Sequence, residues 1–329
     1  MRRKTQNLIC SLLLNCLVEV AAAESEGVAP VNVWIDTDLA CGATVTTDVD
    51  DCLALAMMLS SSKYRVVGIS TLFGNANLET VNLAVKKFRT RFAESYPLAG
   101  FPNVYVGSEK RIRIIGKPVT TAGSQAISLH FKHNRSILLA LGPLSNIATA
   151  IMLNPWIVQN IEKLVIVGGT TSNSRRFFPG DNRLISFRDF NLIKDKYATA
   201  QVIESPVRVQ LAGYELAAGG IMTREDVTRL NIAEPLGSYL SKSVEGWQAY
   251  WQTSFSIEGF YPFDLMAARS LIQDDTIRCE CSTVLLKTSG LAGFGTMHSL
   301  RVGEGNREVL NCVSVKGLSA SIEKGTGPI

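Results

Sequence analysis

The sequence runs to 329 residues, 46% hydrophobic and 19% charged, with 11 prolines and a formal net charge of +4. That is the composition of an ordinary soluble globular enzyme, long enough for one large α/β domain. So small a charge, without a basic cluster, argues against nucleic acid as a partner.

Residues 1–23 have the pattern of a secretory signal. Arg2, Arg3 and Lys4 form a basic start, an apolar core follows, and Ala21, Ala22 and Ala23 offer a small-residue cleavage site. The core is too short for a membrane span, although Glu19 interrupts it, and Asn15 before Cys16 argues against a lipoprotein box. The expectation is a secreted or periplasmic chain whose mature part, residues 24–329, is one domain. Of seven cysteines, Cys10 and Cys16 would leave with the signal. The remaining five, Cys41, Cys52, Cys279, Cys281 and Cys312, are an odd number, so one is free or pairs between molecules. Cys279 and Cys281 would share one face of a strand without an easy bridge between them.

Residues 31–60 read VNVWIDTDLACGATVTTDVDDCLALAMMLS. An apolar run of the kind buried on both faces of a parallel strand stops at Asp36, so Asp36 and Asp38 fall at a strand's carboxyl end, where open α/β sheets bind ligands. Asp48, Asp50 and Asp51 then open an apolar helix. Five acids on one strand-to-helix connection repel one another, and a helix N-terminus offsets only about 0.3–1 kcal/mol per charge. A bound cation would offset more. An all-oxygen set with room for further ligands suits Ca²⁺, with about 6–8 oxygens, better than octahedral Mg²⁺. A solvated acidic loop before an Asp-capped helix is the plainer alternative.

Further strands are expected at 64–73, 103–107, 136–141, 163–167 and 207–211, alternating with helices from Leu78, at 144–153 and at 195–204. Polar or Gly residues punctuate each strand's exit, so the pattern predicts a mostly parallel sheet with helices on both sides. Residues 108–135 show no clear period and read as a long loop, with His130 and His133 a surface pair and no zinc pattern. Thr223 and Asp226 make a plausible helix cap. Residues 236–255 form a helix rich in aromatics, Asp264 opens another, and the remainder reads as antiparallel strands.

The motifs taken together resemble the inosine-uridine nucleoside hydrolases over residues 31–286. The resemblance rests on Asp36-Thr37-Asp38 with Asp50-Asp51, FGN at 73–75, LGPLSNIA at 141–148, VIVGG at 165–169, Asp189-Phe190-Asn191 and Phe263-Asp264. It implies a Rossmann-type core, hydrolysis of ribonucleosides to ribose and base, and a dimer or tetramer. It implies Ca²⁺ held by Asp38, Asp51, the Leu141 carbonyl and Asp264, with Asp38 as the base that takes a proton from water. Asp50, Asn75, Asp189 and Asn191 would contact the sugar.

Three features depart from the family. Eleven residues, 39–49, separate Asp38 from Asp50 where the family has a few, and whether Asp48 enters the site is left open. Phe263 stands where many members carry a proton-donating His; with Trp247 and Trp251 it would suit stacking on a purine, although these aromatics read equally as core. Asp189 replaces the usual Glu. A non-catalytic nucleoside- or ribose-binding protein and a hydrolase of another ribosyl conjugate are the alternatives.

Overall fold

In the structure, a computed structural model, residues 29–113, 117–171, 177–180, 185–272, 275–289 and 296–315 are described. The expected signal, 1–23, lies outside them. The chain divides into Met1–Pro30 and Val31–Ile329, and all that follows belongs to the second unit.

Val31–Thr37 forms β1, buried from Val33 onward. Val33 and Ile35 belong to one apolar cluster and Trp34, between them, to the other, so the period of two feeds cores on both faces of the sheet. Eight more strands complete it: β2 (Tyr64–Thr71), β3 (Val104–Val106), β4 (Ser136–Ala140), β5 (Ile161–Val167), β6 (Val209–Ala212), β7 (Ile277–Ser289), β8 (Thr296–Val302) and β9 (Arg307–Ser314), in the order β3-β2-β1-β4-β5-β6-β9-β7-β8. Pairing is parallel from β3 through β9 and antiparallel between β7 and its neighbours β9 and β8. The fold is therefore α/β with a mostly parallel sheet and antiparallel strands near its C-terminal edge. One expectation needs correction: β9 is not wholly antiparallel, because it pairs in parallel with β6 on its other side.

The helices are α1 (Asp50–Ser60), α2 (Leu78–Ser95), α3 (Ala122–His133), α4 (Ser145–Leu153), α5 (Phe190–Lys194), α6 (Lys196–Glu204), α7 (Tyr214–Ala217), α8 (Arg224–Arg229), α9 (Leu236–Phe255) and α10 (Phe263–Arg269). Leu53 and Leu55 of α1, Val81 and Phe88 of α2, Leu240 of α9 and Leu265 of α10 pack in one cluster. Ile127 and Phe131 of α3, Ile147 of α4 and Val202 of α6 pack in the other.

The expected long loop at 108–135 is corrected by α3. Thr121 and Ser124 cap it reciprocally, and Ile127 and Phe131, one turn apart, are fully buried. His130 is accordingly no surface residue: half-buried, it meets Ser136 Oγ at 2.9 Å through Nε2 and lies against Trp34. The expected Thr223–Asp226 capping box is present at α8. Cys41 pairs with Cys52 and Cys279 with Cys312; Cys281 is in neither bridge. The second bridge joins directly opposed positions of β7 and β9, which explains why the neighbouring Cys281 is not the partner.

Because β1 sends the chain to β2 on one side and lies beside β4 on the other, the strand order reverses between β1 and β4. A crevice opens there, at the carboxyl ends of the strands.

Candidate active site

The acids expected to meet do so at that crevice. Thr37, the last residue of β1, donates its hydroxyl to Asp51 Oδ1 and accepts the Leu39 N–H at 3.1 Å, tying the strand's exit to the first turn of α1. Asp38 Oδ2 accepts the Asn75 N–H at 2.7 Å, and Asn75 Nδ2 donates to Asp51 Oδ2 at 2.8 Å. Asp50 Oδ2 accepts the Asp264 N–H at 3.0 Å, bringing the start of α10 onto the start of α1 across more than two hundred residues. Carboxylate oxygens of Asp50, Asp51 and Asp264 lie within 4.8 Å of one another.

Close approach here depends on absent side chains. A Cβ on Gly74 would fall 1.7 Å from Asp38 Oδ2, and one on Gly142 would fall 2.8 Å from Asp38 Oδ1. Asp36, one residue before Thr37, is turned the other way, toward Ser70 Oγ and toward Asn146 Nδ2 at 2.9 Å. It braces the strand ends.

Burial dominates the electrostatics. It raises Asp38 and Asp264 well above the usual carboxylate range; the Asp51 charge adds to this at Asp38, and the Asp50 and Asp51 charges add at Asp264. Asp51 is pushed up to about 7 by burial, partly offset by its bond from Thr37. Asp50 is raised as well. Asp38 Oδ1 and Asp50 Oδ1 are buried without a hydrogen-bond partner among the described residues. Buried, unpaired, mutually repelling carboxylate oxygens fit a hard divalent cation, which would neutralise them together. The Leu141 carbonyl, at the exit of β4, accepts Asn191 Nδ2 at 2.7 Å, and its second lone pair leaves it able to take a further partner.

Asp189 is buried and accepts the Gly169 N–H at 2.8 Å; burial raises it to about 6. Asp50, Asn75, Leu141, Asp189, Asn191, Phe263 and Asp264 all line a cavity of about 780 Å³, well within the range of small-molecule sites. Trp247 and Trp251 line it too. So does Phe255, from the aromatic-rich helix expected at 236–255, and so do two residues not singled out from the sequence, Phe187 and Tyr214. Phe187 meets Trp251, Phe255 and Phe263 edge-on, and Tyr214 closes the cluster against Phe263. Tyr214 directly follows the exit of β6 at Gly213, and the rule that found the acids would have found it. Phe187 sits in irregular chain with no such signal. The position of Asp48, left open by the sequence, is in the cavity wall with the inserted segment.

The inosine-uridine preferring nucleoside hydrolase family model matches residues 33–318, nearly the whole described chain. The chain belongs to this family. Membership places it among enzymes that hydrolyse the N-glycosidic bond of ribonucleosides, which are metal-dependent. Among curated relatives, it is 25% identical over 255 residues to probable uridine nucleosidase 2 of Arabidopsis thaliana, covering 70% of this chain and 74% of that one. To the non-specific ribonucleoside hydrolase RihC of Escherichia coli (strain SMS-3-5 / SECEC) it is 22% identical over 295 residues, 80% and 86% of the two chains. The solved structures that share the fold include the plant nucleoside hydrolase PpNRh1, at TM-score 0.69 and 17% identity over 90% of this chain and 97% of that one, and a purine-preferring ribonucleoside hydrolase from Gardnerella vaginalis, at 0.66 and 19% over 89% and 96%.

Proposed function

We propose that this nucleoside hydrolase is Ca²⁺-dependent and favours purine ribonucleosides, releasing ribose and the free base. The observation that carries the metal part is the meeting of buried acids with unpartnered oxygens beside a cavity lined with aromatic rings. Asp38, Asp51, Asp264 and the Leu141 carbonyl would hold the ion. When bound, it supplies positive charge that returns the acids to their ionised form, acidifies water and grips vicinal hydroxyls.

Asp38 would accept the proton of the attacking water. The water oxygen bonds to the anomeric carbon as the bond from that carbon to the base nitrogen breaks, and the electron pair leaves with the base. Ionised Asp50 and its neighbours stabilise the positive charge that develops on the sugar. Asp50, Asn75, Asp189 and Asn191 would orient the ribose hydroxyls. Phe263 cannot donate a proton, so the leaving base takes one from solvent, and stacking on Phe263, Trp247 and Trp251 would make it a better leaving group.

The purine part draws on the breadth of the ring cluster. Export belongs to the same proposal, supported by the two disulfides, which persist in oxidising compartments. So does self-association. Among the described residues, no helix is long and apolar enough to cross a membrane.

The test is chromatography of inosine, adenosine, guanosine, uridine and cytidine after incubation with the purified mature chain, with and without chelator. Base release from purines that chelator abolishes and Ca²⁺ restores is the expected result. Asp38→Ala should lower it by about 10²–10⁴ with the fold intact. Activity indifferent to chelator would overturn the calcium claim, and faster cleavage of uridine than inosine the purine claim.

A further inference from the structure

We infer that the inserted segment, residues 39–49, is a fixed wall that selects the leaving base, its threonine hydroxyls meeting the base's polar edge while the rings of α9 meet its face. The inference rests on the hydrolase reading above.

The segment is built in two parts. Leu39, Ala40 and Cys41 are fully buried and serve as an anchor. After Gly42, which turns the chain at φ +67°, residues 43–48 run along the cavity, and Ala43, Thr44, Thr46 and Thr47 form part of its lining.

Free insertions of this length are mobile, and this one is tied to the rest of the fold by three contacts and braced once within itself. The Cys41–Cys52 bridge fastens it to α1, one residue beyond Asp51. The Tyr239 hydroxyl of α9 donates to the Cys41 carbonyl at 2.8 Å. The Val45 carbonyl crosses Gly246 of α9 so closely that a Cβ there would lie 1.9 Å from it. Inside the loop the Thr44 and Thr47 hydroxyls meet at 2.6 Å.

Its position follows from those anchors. The clamp at Gly246 sets the loop against the residue that precedes Trp247, on the helix that also brings Tyr250, Trp251 and Phe255 to the cavity. The acids that would hold the sugar stand on α1, α10 and the exit of β1. A wall of hydroxyls joined to a wall of rings recognises a flat, polar-edged heterocycle: rings tolerate any base, and edge groups distinguish one from another. Preorganisation makes such a wall effective, because a loop that is already ordered costs no entropy on binding.

The experiment compares the wild-type mature chain with Cys41→Ser/Cys52→Ser, Gly246→Ala and Thr46→Val, measuring kcat and KM on adenosine, guanosine, inosine and uridine, and on p-nitrophenyl riboside, whose leaving group has no heterocyclic edge. Freeing the loop by either of the first two changes should raise KM for the favoured nucleosides about tenfold and bring kcat/KM for the four within threefold of one another. Turnover of p-nitrophenyl riboside should change less than twofold. Thr46→Val should alter the ranking of bases without lowering the melting temperature, which separates edge recognition from structural support. Unchanged ranking in all three variants, or an equal fall in kcat on every substrate including p-nitrophenyl riboside, overturns the inference. If the wild type releases no base at all, the hydrolase reading fails, and calorimetric titration with the same nucleosides and with ribose decides the loop's role: loss of nucleoside-over-ribose preference in Gly246→Ala supports it, and retained preference, or no binding of either, overturns it.

Discussion

Asp38 fits where it stands only because two of its neighbours, Gly74 and Gly142, lack side chains. Gly74→Ala puts a carbon where an Asp38 oxygen stands, 1.7 Å away, so the carboxylate must move. A misplacement of about 1 Å in a reacting group costs on the order of 10²-fold. We expect base release to fall by that factor in Gly74→Ala, measured by chromatography, with little change in far-ultraviolet circular dichroism. The placement of Asp38 just past a strand exit was legible because an apolar run ended two residues earlier on Asp36, and the convergence of Asp50, Asp51 and Asp264 followed from the family pattern. The pairing of Cys41 with Cys52 was not, since a bridge depends on how a loop returns through space. Phe187 was invisible for a similar reason: it reaches the cavity through an isolated bridge with Phe177, and no periodic pattern announces it.

Among the longer helices, α3 is the one the sequence concealed; the short α5 and α7 were not expected either. Its first turn is Ala-Gly-Ser, its cap partner is Ser where a Glu would have been recognised, and only Ile127 and Phe131 mark its inner face. Tertiary packing, more than propensity, makes it a helix. Phe131→Ala should therefore cost about 3–5 kcal/mol in urea unfolding, the loss expected for an aromatic removed from a core. A value near zero would mean that the segment contributes no packing. The strands β1, β2, β4 and β5 were legible within a few residues because burial on both faces leaves continuous apolar runs. The partner of β9 across β6 was not, because one short strand carries no sign of which neighbour it will find.

The gathered acids oppose the fold that gathers them. Burial pushes Asp36 and Asp51 up to about 7 from an ordinary 3.8. Between those values the native state binds more protons than the unfolded one, so stability falls as pH rises across that window. In chelator, the melting temperature should drop from pH 5 to pH 8, and excess Ca²⁺ should flatten or reverse the trend; a melting temperature indifferent to both would mean that the cluster holds no ion. The position of β9 has a separate consequence. β6 is followed by about a hundred residues before its second neighbour arrives, and Arg307, at the start of β9, reaches back to the Ile203 carbonyl at 2.9 Å. During synthesis the ribosome must deliver the chain as far as β9 before the sheet can close beside β6, so until then the nascent chain presents an open strand edge for chaperones, or for sister chains, to capture.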